Sequence, residues 1–149
     1  MKSFSQYLEE AFDSKPVKWK KVKTGNYYFT IDEAVYDVEF TNDHNVIEVV
    51  FSIDLGPQTN KLYNMTGTGN QFKVLSTVMD IIRSYIDENK DLFTAEKEGV
   101  ITFTSKGTGR TNVYTRLVKK YLPKDWNVVT DVHPNGVVEF FIGPREYVQ

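Results

Sequence analysis

The sequence predicts an α+β domain: a central mixed, mostly antiparallel sheet with flanking helices, in the order β-meander, helix, strand, helix, β-hairpin. Three observations carry this. From residue 34 to 55 apolar side chains recur at every second position, the period of a half-buried strand. From residue 71 the spacing changes: Phe72, Leu75, Val78, Met79, Ile82, Tyr85 and Ile86 recur at three and four, as in an amphipathic helix. After residue 126 two β-branched runs flank Asn135-Gly136, a strong short hairpin marker. A meander later crossed by helices implies an α+β or an α/β three-layer arrangement.

In chain order, Phe4, Tyr7, Leu8, Ala11 and Phe12 form a helical stripe over residues 1–12. Lys15, Lys18, Lys20, Lys21 and Lys23 then surround Trp19. That segment is either a solvated linker or edge strand with Trp19 in the core, or a cationic stretch. In the second case Lys18, Lys20 and Lys21 touch DNA phosphates and Trp19 stacks on a base.

Residues 27–31 are aromatic and β-branched, a strand. Ala34, Tyr36, Val38 and Phe40 alternate with polar neighbours in the next one. Residues 41–45 have turn chemistry, and Ile47 to Leu55 alternate again until Gly56-Pro57 ends the run. A polar loop over 56–66 precedes a helix from 71 to about 89, capped by Asn70. Residues 100–104 make a short strand and 105–109 a turn. A second helix over 110–121 puts Val113, Tyr114, Leu117, Val118 and Tyr121 on its buried side, and Pro123 prevents its continuation. Strands over 126–132 and 137–142, with a turn at 133–136, close the chain. Residues 1–23 read as an N-terminal helix and basic linker, and 24–149 as a single domain.

At 149 residues with 40% hydrophobic content, one domain can bury a real core. A net charge of −2 does not mark the whole chain as a nucleic-acid protein. The absence of cysteine excludes disulfides, thiolate zinc sites and a cysteine nucleophile. His44 and His133 lie far apart in apparent turns, so both are expected to be solvent-exposed and no metal site is expected. No apolar run approaches the roughly 20 residues that span a bilayer, so no membrane partner is expected.

The opening Met1-Lys2-Ser3-Phe4, running to Leu8-Glu9-Glu10-Ala11, resembles the capsid-targeting leader of T-even-type phage internal head proteins. The resemblance implies cleavage at Glu10–Ala11 by a prohead protease, with Leu8 two residues before the scissile Glu10. It also implies residence in the phage head and delivery to the host cytoplasm. From residue 27 to 142 the element order resembles the Gcn5-related N-acetyltransferase fold. Asn64-Met65-Thr66-Gly67-Thr68-Gly69-Asn70 stands where that family holds the pyrophosphate of coenzyme A. The glycines let the backbone approach, and free N–H groups at a helix start face the anion. Asn64 replaces the family's Gln or Arg, and eleven residues separate Leu55 from Gly67.

The resemblance further implies acetyl-CoA as cofactor, Tyr114 as the acid that protonates the departing thiolate, and a V-shaped opening between two parallel strands beside Gly67–Asn70. No base is singled out, though Glu48 and Asp54 project from the central strand. Residues 67–117 also resemble a recurring class of tailed-phage proteins. The residues alone leave plainer alternatives: Gly67 and Gly69 as a tight turn, Tyr114 as packing. On those alternatives the chain is a non-catalytic phage accessory protein that binds a host factor or DNA.

Overall fold

The computed structural model describes residues 15–54, 71–106 and 111–149. Strands β1 (Trp19–Lys23), β2 (Asn26–Ile31), β3 (Ala34–Asp43) and β4 (Val46–Asp54) precede helix α1 (Gln71–Glu88) and a short 3₁₀ turn at Lys90–Leu92. Strand β5 (Val100–Lys106), helix α2 (Thr111–Tyr121) and strands β6 (Trp126–Val132) and β7 (Val137–Pro144) follow. The strands form one sheet ordered β1-β2-β3-β4-β5-β7-β6. Every neighbouring pair is antiparallel except β4 and β5. The α+β class and the mostly antiparallel sheet are as the sequence predicts.

The second turn of the meander is tighter than expected, while the first falls where the sequence leaves it. Asp32-Glu33 and His44-Asn45 have φ of 48° and 69°, and 52° and 68°. Two consecutive positive φ values make a two-residue reversal whose twist matches the flanking strands. Thr41 to Asp43 therefore belong to β3 rather than to a five-residue turn over 41–45. Asn42 still serves the turn, its Oδ1 accepting the Asn45 N–H at 2.9 Å.

Register places Tyr27, Phe29, Tyr36, Val38, Phe40, Ile47 and Val49 on one face of β2–β4. The pairings Ile47–Ile101, Ile101–Ile142 and Phe103–Phe140 carry that face across to β7. Both helices pack there: Tyr85 of α1 stacks on Phe40 at 4.2 Å, and Tyr114 of α2 meets Phe140 edge-on at 5.4 Å. Among the described residues the domain is thus two layers, not three. Glu39, Glu48, Val50 and Thr104 on the opposite face are exposed.

The lysine segment forms an edge strand, paired with β2 from Trp19–Phe29 to Lys23–Asn26. Trp19 lies edge-on to Tyr27 at 5.5 Å, and its indole N–H donates to Asp80 Oδ2 of α1 at 2.9 Å. Trp19→Phe keeps an aromatic ring but removes that donor from a half-buried carboxylate. The expected cost is about 1–3 kcal/mol, read as a lower urea midpoint with an unchanged slope.

The C-terminus is tied to the start of β5 by the Tyr147 hydroxyl, which donates to the Gly99 carbonyl at 2.7 Å. Burial, followed by the charges of Glu98 and Glu146, pushes the Tyr147 phenol up to about 12 from the ordinary 10.0. The folded state therefore holds this proton after the unfolded chain has lost it. The stabilisation is complete below pH 10 and is lost as pH rises toward 12. Tyr147→Phe should melt lower at neutral pH yet lose stability less steeply over that interval, a difference that thermal melts against pH would record.

Candidate functional site

The parallel pair is where the sheet opens. Strands β4 and β5 are paired only at Val46–Val100, Ile47–Ile101 and Glu48–Thr102. Beyond that rung β4 stays bonded to β3 as far as Asp54, and β5 stays bonded to β7 as far as Lys106. The two strands thus part toward their carboxyl ends, leaving facing edges without a shared ladder. A crevice at the carboxyl ends of parallel strands is the usual ligand position in open α/β sheets.

Val49, Phe51, Phe103 and Thr104 form the strand walls of this cleft, and Leu75, Val78, Met79 and Ile82 of α1 form its back. Tyr114 of α2 completes the lining. Its ring is also edge-on to Phe103 at 5.9 Å, and the residue is 5% exposed. The side chains leave a cavity of about 10 Å³, room for one water. A larger guest has to displace part of the wall, of which Phe51 is the half-buried member. Glu48 sits at the last paired rung, exposed on the face away from the helices. Asp54 ends β4 in register with Val35.

Of the residues singled out in sequence, Tyr114 alone is placed by the described structure in the cleft. Asn64, Gly67, Thr68, Gly69 and Asn70 lie outside the described residues, as do Leu8, Glu10 and Ala11. The three lysines do not form one patch. Lys21 Nζ bonds Glu88 Oε2 of α1 at 2.7 Å, and that bond holds its ammonium above the ordinary value. Lys20 pairs in register with Tyr28 and so projects to the other face, while Lys18 is exposed ahead of the strand.

Two further groupings were not singled out in the sequence. Lys119, Lys124 and Arg145 line an open groove of about 330 Å³ beside Trp126. At the far hairpin, Asp131, His133 and Glu139 bring donor atoms within 4.8 Å of one another. His133 Nε2 lies 3.2 Å from Glu139 Oε1 and 3.9 Å from Asp131 Oδ2. The expectation of an exposed turn histidine holds for His44, whose side chain is 97% exposed beside Asp43. It holds only in part for His133, whose side chain is 41% exposed in the turn but stands between two carboxylates.

The reason is register. A turn over 133–136 would pair Val132 with Val137, whereas Val132 pairs with Val138, which sets Asp131 opposite Glu139. A shift of one residue exchanges the faces of a strand. Enumerating both registers around Asn135-Gly136 would have revealed the cluster.

Comparison with known proteins finds no family model, no curated protein and no solved structure that matches the chain.

Proposed function

We propose that this protein is an acyl-CoA-dependent N-acyltransferase built on an acetyltransferase-like fold. The reading rests on one observation: the one parallel pair among the described strands opens after its third rung, with Tyr114 in the opening. A thioester-bearing pantetheine arm entering there would find unladdered backbone groups of β4 for its amides. In sequence Gly67, Thr68, Gly69 and Asn70 directly precede α1, where glycine backbone and helix-start N–H groups would suit the pyrophosphate of acetyl-CoA, with Asn64 a few residues before them.

The acceptor amine approaches from the open face, where Glu48 takes a proton from the ammonium form. The free amine nitrogen attacks the thioester carbonyl and forms the C–N bond. The tetrahedral adduct collapses with cleavage of the C–S bond, and Tyr114 gives its proton to the departing thiolate. The products are the N-acyl amine and the free thiol, with the tyrosinate reprotonated from solvent. Calorimetry with acetyl-CoA tests the proposal directly. Saturable heat at one ligand per chain is expected, and no heat at about 1 mM ligand removes the enzyme reading.

The narrowness of the cleft favours a second reading, a non-catalytic phage accessory protein that binds a host factor or DNA on the same scaffold. In that case host-lysate pull-down recovers a partner while acetyl-CoA gives no heat. On either reading the leader-like start proposes packaging in the virion head and release into the host cytoplasm. Intact mass from purified virions should then show a chain beginning at Ala11, and a full-length species there rejects processing.

A further inference from the structure

The hairpin cluster is chemically unlike the rest of the sheet face on which it lies. Asp131 and Glu139 are direct cross-strand partners. Like charges at such a position repel and destabilise the pair unless a cation lies between them. His133 follows Asp131 by two residues, just past the end of β6, and its N–H still donates to the Val137 carbonyl at 2.8 Å, so the pleat carries it to the same face. Its Nε2 is the atom that approaches both carboxylates, at 3.2 and 3.9 Å, so three lone-pair donors converge on one point.

Glu139 is held in that direction from behind. The Thr102 hydroxyl donates to Glu139 Oε2 at 3.2 Å and leaves Oε1 facing the imidazole. Thr102 is 5% exposed, so this support is part of the packed sheet rather than a surface contact. Outer partners that orient a ligating carboxylate in this way are a regular part of metal sites.

We infer that Asp131, His133 and Glu139 form a binding site for a divalent transition-metal ion, with Zn²⁺ as the best-matched member. Zinc takes imidazole nitrogen and carboxylate oxygen at about 2.0–2.2 Å, and tetrahedral geometry then separates the donors by about 3.3–3.6 Å. The two distances to His133 Nε2 bracket that range. Closing the set needs only a turn of the Asp131 side chain, which is 64% exposed. The imidazole selects zinc and its first-row neighbours over Mg²⁺ and Ca²⁺, which take oxygen donors. Three protein ligands leave a position for water, the open arrangement found where zinc acts on a substrate rather than merely holding a fold.

Zinc titration of the full chain, followed by calorimetry and by the imidazole resonances of His133, tests the site. One zinc per chain, with His133 resonances shifting and those of His44 not, is the expected result. Asp131→Asn, on an exposed side chain, and His133→Ala should each weaken uptake by more than tenfold. Thr102→Val removes only the supporting hydroxyl and should cost roughly 10–100-fold. His44→Ala should leave binding unchanged, and Mg²⁺ should not compete. The inference fails if no saturable uptake occurs by about 1 mM free zinc. It also fails if uptake survives both Asp131→Asn and His133→Ala, or is removed by His44→Ala alone. None of these outcomes depends on acetyl-CoA binding.

Discussion

If the protein transfers acyl groups as proposed, Tyr114→Phe is expected to lower that activity by about 10²–10⁴-fold, the range in which a positioned proton donor contributes, while leaving the fold intact. Phenylalanine keeps the ring that lies edge-on to Phe103 and Phe140 and loses only the hydroxyl. The melting temperature should therefore move little, and acetyl-CoA affinity should stay close to wild type. The defect should shrink with thioesters whose thiols are more acidic, because such thiolates depart without a proton. A structural role for Tyr114 would instead slow all acyl donors equally. Wild-type turnover in the phenylalanine variant, with acetyl-CoA bound, would show that the leaving group takes its proton elsewhere.

The second large effect concerns the same wall from behind. Phe140 is fully buried on β7, stacked on Phe103 at 4.8 Å and met edge-on by Tyr114. Phe140→Ala should destabilise the domain by about 3–5 kcal/mol through lost transfer energy and the cavity left behind. That is a large share of the roughly 5–15 kcal/mol holding a typical domain. Urea unfolding gives the measurement, with the midpoint falling and the slope unchanged. Phe140→Leu fills part of the space and should fall between. A loss under about 1 kcal/mol would mean that the helices close over the gap, contrary to the rigid packing expected of a sheet core.

How much of this was readable in the chain follows from the range of the interactions involved. The alternation in Ala34 to Phe40 and in Ile47 to Leu55 announced strands because each position responds to the same buried face. The spacing of Leu75, Val78, Met79, Ile82, Tyr85 and Ile86 announced α1 for the same reason, and all six are buried. Burial of Tyr114, Leu117 and Val118 was likewise legible. The edge strand β1 was ambiguous because four of its five residues are exposed, so no alternation marks it. The tight His44-Asn45 turn was missed because turn-forming residues next to it, Thr41 to Asp43, also tolerate extended backbone.

Periodicity, turn chemistry and composition are local properties, so the sequence by itself determined the class of fold, the order of the elements from β2 to β7 and most of the core residues. Only the tertiary structure decided that α1 and α2 share one face, that β4 and β5 run parallel for three rungs and then part, and that Asp131 faces Glu139 across His133. Those facts depend on strand register and on contacts between distant segments. A one-residue slip leaves every local preference satisfied and still carries a side chain to the opposite face.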